Sequence, residues 1–128
     1  MLPLKTKTEL EALHAGNVKE RLTFEYKASD AVDKANDKKK LEMARDVSAF
    51  ANADGGQIVY GMTENSDHEP SSLDGGIDAK AYSEIWFEQV LQQHVQPAIP
   101  DLRIRHVPLS KPMVARVLQS VSWISGIY

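Results

Sequence analysis

Cysteine is absent from this chain of 128 residues, and its absence excludes both disulfide bridges and thiolate metal sites. Long hydrophobic runs are also missing, because no stretch approaches the ~18 consecutive apolar residues that span a membrane. The first residues lack the apolar segment of a secretory signal. These absences predict a cytoplasmic protein that has no membrane partner.

An excess of basic charge is missing as well. The chain has 15 Lys and Arg against 18 Asp and Glu, a formal net charge of −3. Proteins that bind nucleic acid usually show a basic footprint, so binding here must depend on a local cluster of charges. Hydrophobic residues make up 42% and charged residues 26%, which is typical of a globular protein. The length predicts a single domain over residues 1–128.

Helical and strand periodicities alternate along the chain. They predict helices over residues 8–15, 38–53 and 78–94, and strands over 22–27, 58–60, 102–107 and 113–121. The polar stretch 63–76 predicts a surface loop. The order αβαβαββ therefore predicts an α+β fold in which helices pack on a mixed, partly antiparallel sheet.

Particular residues are expected to fix the helix ends and faces. Thr8 with Glu11 predicts a capping box for the first helix, and Asp78 is expected to cap the third. Gly55 and Gly56 stop the second helix, one of them in the left-handed conformation. The apolar stripes are expected to comprise Leu41, Ala44, Val47, Phe50 and Ala51 on the second helix, and Tyr82, Ile85, Trp86, Val90 and Leu91 on the third.

Acidic residues around the first strand suggest one kind of site. Glu20 and Glu25 are five residues apart and converge only if Glu20 precedes the strand at a bend. A third carboxylate, from Glu64 or Asp67, would complete an all-oxygen site for Mg²⁺ or Mn²⁺ that could activate water for hydrolysis. The alternative is that these acids are solvated residues at strand ends.

Basic residues suggest a second kind of site. Lys27 shares the polar face of the strand with Glu25, so it is either an ion-pair partner or a phosphate contact. A further cluster gathers near the start of the second helix, where free N–H groups also favour anions. The alternative is an ordinary solvated helix start. The cluster comprises Lys34, Lys38, Lys39, Lys40 and Arg45.

The sequence lacks the motifs of several well-known reaction types. There is no GxxxxGK[ST] phosphate loop, no HExxH pair and no GxSxG elbow. P-loop nucleotide binding, zinc proteolysis of the HExxH type and acyl transfer of the hydrolase type are therefore not indicated.

Two segments of the sequence resemble those of a known protein family. The first runs from Glu20 through Phe24-Glu25-Tyr26-Lys27, and the second is Ser48-Ala-Phe-Ala-Asn-Ala-Asp-Gly-Gly56 followed by Gly61. Together they resemble the Schlafen AlbA_2-type domain, most specifically over residues 20–61 and more generally to about residue 121. The resemblance implies a nucleic-acid-binding domain. Bacterial members are described as DNA-binding parts of transcriptional regulators.

The resemblance implies two functions that differ in their chemistry. The leading one is a non-catalytic DNA-binding module that contacts phosphates through Lys27, Lys38, Lys39, Lys40 and Arg45. The alternative is a nuclease dependent on Mg²⁺ or Mn²⁺, because domains that resemble this one in Schlafen proteins form an RNase site from three acids. Here those acids would be Glu20, Glu25 and Glu64, with Lys27 stabilising phosphate charge. The family commonly has an acidic pair after the glycine at position 61, whereas this chain has Met62, Thr63 and Glu64.

A third function is independent of nucleic acid. The last residues, 122–128, are apolar and include Trp123, Ile124 and Tyr128. They would suit a protein-interaction or oligomerisation domain, with a homodimer as the simplest assembly.

Overall fold

Helices and short strands alternate through the parts of the chain that the computed structural model describes, which are residues 4–15, 24–51, 55–66, 70–95 and 102–120. A 3₁₀ turn at Ser29–Ala31 follows the first strand. The elements are α1 (Lys7–Ala15), β1 (Phe24–Lys27), α2 (Asp37–Ala51), β2 (Gly56–Tyr60), β3 (Met62–Glu64), β4 (Pro70–Leu73), β5 (Ile77–Asp78), α3 (Glu84–His94), β6 (Arg103–Pro108) and β7 (Met113–Ser120). The predicted α+β class is confirmed.

Strand β7 organises the main sheet. It pairs antiparallel with β6 along one edge, and with β2 and then β5 along the other. Strand β1 adds to β2 in parallel, in a register that sets Glu25 opposite Ile58 and Lys27 opposite Tyr60. The sheet is therefore mixed and mostly antiparallel, as the sequence predicts. The closing strands β6 and β7 form an antiparallel hairpin.

Both faces of this sheet are covered. Strand β2 is buried throughout, and its side chains alternate between two hydrophobic clusters because successive residues of a strand point to opposite faces. Ile58 and Tyr60 pack with residues of α2 and α3, whereas Val59 packs with residues of α1. The polar groups of this region can therefore reach solvent only at the edges and ends of the strands.

The helix caps differ from those expected. In α1, the Glu9 N–H donates to Thr6 Oγ1 at 3.2 Å, and the Lys5 N–H donates to Glu9 Oε1 at 3.0 Å. The predicted capping box at Thr8 and Glu11 is wrong because the helix begins at Lys7, and the motif lies two residues earlier.

The cap of α3 is also displaced from its expected position. Asp78 belongs to β5, and its carboxylate accepts hydrogen bonds from the N–H groups of Lys80 and Ala81 in the following turn. Ser83 caps the helix instead, because its Oγ accepts from the Trp86 N–H at 3.2 Å. Asp78 therefore shapes the turn before the helix and not the helix end itself.

Two apolar residues expected to face inward are exposed. Leu41 on α2 is 37% exposed and Ile85 on α3 is 64% exposed, whereas Met43 and Phe87 are buried. The other buried residues of the two stripes agree with the prediction: Ala44, Val47, Phe50, Val90 and Leu91. The predicted stripes are therefore largely confirmed, and Leu41 and Ile85 are the exposed exceptions.

The polar stretch 63–76 is not simply a loop. Strands β3 and β4 form a small antiparallel sheet in which Met62 faces Leu73 and Thr63 faces Ser72. The Thr63 hydroxyl also donates to the Ser72 carbonyl at 3.2 Å. The loop prediction is wrong because the strands are only three and four residues long and have one apolar pair, Met62 and Leu73, which is too little to show an alternating pattern.

A glycine turn joins α2 to β2. The Gly55 N–H donates to the Phe50 carbonyl at 2.8 Å, and Gly55 has φ +83°, which confirms the predicted left-handed cap. Gly56 is needed for a different reason, since a Cβ at this position would collide with the Phe50 ring. The ring therefore packs directly on the strand backbone.

Some sequence predictions fall outside the described residues. These include Glu20, Asp67 and the tail 122–128, so the interaction or oligomerisation function stays a prediction. Among the helices that are described, none combines the length and the apolar character needed to cross a membrane.

Replacement of Gly56 by alanine tests the close packing at the turn. Gly56→Ala should lower the free energy of unfolding by about 1–3 kcal/mol, because the new methyl group forces the Phe50 ring to move. Urea denaturation followed by circular dichroism measures this change. Gly75→Ala is the matched control, since a Cβ there meets open space, and should stay within about 0.5 kcal/mol of the parent protein. Equal effects of the two substitutions would contradict the packing argument.

Candidate functional site

Acidic and basic side chains meet at the end of β1, beneath α2. Glu25 and Lys27 flank the buried Tyr26 and therefore share the face of the strand that α2 covers. Lys27 Nζ lies 3.2 Å from Glu25 Oε1 and 3.8 Å from Asp46 Oδ2 on α2. Of the two roles expected for Lys27, the ion pair is present. We call Glu25, Lys27 and Asp46 the strand-end cluster.

A cavity of about 40 Å³ lies beside the strand-end cluster. Tyr60 is only 1% exposed, and its hydroxyl makes no hydrogen bond with the described part of the chain. Burial, followed by the charges of Asp46 and Glu25, raises the pKa of Tyr60 well above its usual value. The hydroxyl therefore stays protonated and can both donate and accept a hydrogen bond. The cavity lining is Lys27, Ala31, Lys39, Glu42, Met43, Asp46 and Tyr60.

A ring of hydrogen bonds fixes the backbone at Lys27. The Gly61 N–H donates to the Lys27 carbonyl, and the Asp74 N–H donates to the Gly61 carbonyl, both at 2.8 Å. The Asp74 carboxylate accepts from the Ser29 N–H at 2.8 Å and from the Ser29 hydroxyl at 2.5 Å. It also accepts from the Gly76 N–H at 2.8 Å. These hydrogen bonds together hold the end of β1 in position.

Three of the predicted basic residues are already engaged. Lys39 Nζ donates to the carbonyl of Asp30 at 2.5 Å, and Lys40 Nζ lies 3.5 Å from the Asp37 carboxylate. Lys34 Nζ lies 5.4 Å from the centre of the Tyr82 ring, a cation–π distance. The cluster predicted from the sequence is therefore divided among several local contacts.

Lys38 and Arg45 differ from these three lysines. Both are exposed, and neither forms an ion pair or a side-chain hydrogen bond with any residue that the structure describes. Their separation of seven residues places them on one side of α2, about 10 Å apart along the axis. Glu42 lies between them on the same side. We call Lys38, Glu42 and Arg45 the outer face of α2, which has a net charge of +1.

The described structure includes two of the three predicted metal-ligating acids, Glu25 and Glu64. Glu64 is exposed at the end of β3, in the two-stranded sheet, whereas Glu25 lies in the main sheet. Glu20 lies outside the described residues. No group of three or more His, Asp or Glu side chains within the described ranges is arranged to hold a metal ion. The acid that the structure does bring toward Glu25 is Asp46.

Sequence reasoning missed Asp46 and Tyr60. Asp46 follows Met43 by three residues and precedes Phe50 by four, so it lies at the border of the buried stripe of α2. An acidic residue at the border of a buried stripe could therefore have been identified from the sequence as a candidate site residue. Tyr60 ends an apolar strand, where an aromatic side chain with one polar atom is easily taken for core alone.

Comparison with known proteins gives a family match and a match to a solved structure. The family model described as Schlafen, AlbA_2 matches residues 20–123. No curated protein matches the chain. Among solved structures, the crystal structure of the DIP2311 protein from Corynebacterium diphtheriae matches with 17% identity and a TM-score of 0.49. The match covers 88% of this chain and 21% of that one, so this chain spans about a fifth of the DIP2311 chain.

Removal of the Asp74 carboxylate tests the hydrogen-bond ring. Asp74→Ala should lower the free energy of unfolding by about 2–3 kcal/mol, because the N–H groups of Ser29 and Gly76 lose a charged acceptor. Urea denaturation at neutral pH measures the loss. Asp30→Ala is the control, since its side chain is exposed, and should change stability by no more than about 0.5 kcal/mol. A loss for Asp74→Ala as small as that of the control would show that the ring does not hold the strand end.

Proposed function

The chain belongs to the Schlafen AlbA_2 family, and from that premise we propose that it is a DNA-binding module of a transcriptional regulator that contacts phosphates through the outer face of α2. The family points to a nucleic-acid-related role. The observation that carries the proposal is that Lys38 and Arg45 are exposed on one side of a helix without a partner in the described part of the chain.

The candidate phosphate contacts can be ranked by the number of ion pairs that each basic side chain would first have to break. Lys38 and Arg45 can meet a phosphate without breaking an ion pair within the described structure. Lys27 would first have to leave two carboxylates, and Lys40 would have to leave one. Arg45 can also contact a phosphate through two N–H groups at once. The proposed interface therefore centres on Lys38 and Arg45, with Lys39 and Lys40 beside them.

The charge balance limits the strength of this binding. The whole chain has a net charge of −3, and Glu42 lies within the proposed interface. Two phosphate contacts imply a slope of about −1.8 for log K against log salt, from about −0.9 for each contact. Contacts of this kind position a protein on the backbone and do not read its sequence. The expected binding is modest, sensitive to salt and tolerant of sequence.

The double variant Lys38→Gln, Arg45→Gln tests the proposed interface. Its affinity for labelled double-stranded DNA should fall, and its salt slope should become less steep by about 1.8, because two phosphate contacts are lost. Fluorescence anisotropy between about 50 and 200 mM salt, with EDTA present, gives both quantities.

Lys111→Gln is the matched control for this experiment, since Lys111 is an exposed lysine in the turn between β6 and β7. Its slope should equal that of the parent protein. An unchanged slope in the double variant would show that the outer face of α2 does not contact the nucleic acid. A structured RNA measured in parallel decides the class of nucleic acid, because tighter RNA binding would replace the DNA part of the proposal.

A second candidate function is hydrolysis of nucleic acid, and the strand-end cluster favours it. Carboxylates beside a lysine at an accessible strand end are groups that metal-assisted phosphodiester hydrolysis uses. Glu20, Glu25 and Glu64 would hold Mg²⁺ or Mn²⁺, and Lys27 would stabilise phosphate charge. When bound, the metal would supply an activated water. Support for this candidate comes from Glu25, whose Oε1 lies 3.2 Å from Lys27 Nζ.

The variant Glu25→Gln tests the nuclease function. It should abolish any Mn²⁺-dependent cleavage of labelled RNA or DNA, because a neutral amide holds a divalent cation poorly. Gel electrophoresis of the products measures cleavage, and anisotropy in EDTA measures binding separately. Glu88→Gln, at an exposed position of α3, should cleave like the parent protein. Absence of metal-dependent cleavage in the parent protein would leave binding as the function.

A further inference from the structure

We infer that Asp46 and Glu25 form a binding site for a hydrated divalent cation, a site in which the Lys27 ammonium takes the place of the cation when no metal is bound. The Tyr60 hydroxyl faces the water shell of that cation. This site shares Glu25 with the predicted set Glu20, Glu25 and Glu64. It differs from that set because it requires Asp46, which lies on α2. It also does not depend on the proposed binding of nucleic acid.

The geometry shows two carboxylates that converge on one positive charge. Lys27 Nζ lies 3.2 Å from Glu25 Oε1 and 3.8 Å from Asp46 Oδ2, although one acid is on a strand and the other on a helix. Mg²⁺ is usually held by one or two carboxylates and keeps several of its waters. The two acids therefore do not both need to bind the metal directly, since one can contact it through a water.

Tyr60 provides an independent indication of a ligand. Its side chain is buried and lines the cavity of about 40 Å³ together with Asp46 and Lys27. Its hydroxyl has no hydrogen-bond partner among the described residues, which is unusual for a buried polar group. The cavity exceeds the roughly 10–15 Å³ that one water needs. A metal-bound water would give the hydroxyl its missing hydrogen bond.

The charges select the kind of ligand. Glu25 and Asp46 against Lys27 give the strand-end cluster a net charge of −1, and the cavity residues Glu42 and Lys39 cancel each other. A phosphate would therefore be repelled. A monovalent cation would replace one positive charge by another without Coulomb gain, whereas a divalent cation adds a charge. The oxygen ligands favour Mg²⁺ or Mn²⁺ over softer metals.

Titration with Mn²⁺ tests the site without any nucleic acid. The electron paramagnetic resonance signal of free Mn²⁺ decreases as the metal binds, which gives a Kd for each variant. Asp46→Asn should bind at least about tenfold more weakly. Lys27→Met should bind several-fold more tightly, because the competing ammonium is removed. A purely structural role for Lys27 would not strengthen metal binding.

Two control variants separate this site from other carboxylates. Glu88→Gln, at an exposed position of α3, should leave the Kd for Mn²⁺ unchanged, and so should Asp37→Asn, an exposed acid on the same helix as Asp46. A loss in either control variant equal to that in Asp46→Asn would overturn the assignment in favour of a different acidic set. An unchanged Kd in Asp46→Asn, or no gain in Lys27→Met, would also overturn it.

A conservative variant covers the case in which Asp46→Asn does not fold. Tyr60→Phe keeps the packing of the ring and removes only the hydroxyl, so it should fold and bind Mn²⁺ measurably more weakly. Circular dichroism of each variant checks the fold before the titration. A Tyr60→Phe protein that binds Mn²⁺ like the parent would contradict the role of the hydroxyl. Nucleic-acid binding in EDTA is unaffected by either result, so the two proposals fail separately.

Discussion

The burial of β2 on both faces is the constraint on which the arrangement of the site depends. Because helices cover both sides of this strand, polar side chains nearby can reach water only at the sheet edge and at the strand end. Strand β1 supplies Glu25 and Lys27 at that edge, and Tyr60 brings its hydroxyl to the same place as the last residue of β2. The hydrogen bonds of Gly61 to Lys27 and Asp74 then direct the chain into the second sheet. One buried strand thus determines where the charged groups gather.

Helix α2 presents opposite charges on two of its sides. Arg45 and Asp46 are neighbours in sequence, but successive residues of a helix point about 100° apart. Asp46 therefore faces the strand-end cluster, whereas Arg45 joins Lys38 on the outer face. The first side has a net charge of −1 and suits a cation, and the second has a net charge of +1 and suits a phosphate. The mildly acidic total for the chain therefore does not by itself show where either proposed ligand would bind.

The sequence predicted the fold class, the three helices and the four longer strands, because each of these has a clear hydrophobic period. It did not predict the features that depend on something other than a hydrophobic period. The β3–β4 hairpin consists of strands of three and four residues, which are too short to show an apolar pattern. The inward sides of the long helices are set by the position of the sheet, which is why Leu41 and Ile85 lie outside. For the site, the sequence identified Glu25 and Lys27, but the approach of Asp46 is a tertiary contact between distant segments.

The unpaired hydroxyl of Tyr60 is the feature least explained by folding alone. A phenylalanine would fill the same space, and a buried hydroxyl without a partner costs about 1–3 kcal/mol. Buried Arg116 offers a comparison, because its Nε is also unpaired, yet its Nη2 donates to the Tyr82 carbonyl at 3.0 Å and its guanidinium packs on the Phe87 ring. The Tyr60 ring also packs against Phe87, but its hydroxyl has no hydrogen bond among the described residues, and it lines a cavity together with Lys27, Lys39, Glu42 and Asp46. Local departures from good packing or pairing are expected at functional sites, so this residue supports the proposed role of the strand end on physical grounds independent of the family.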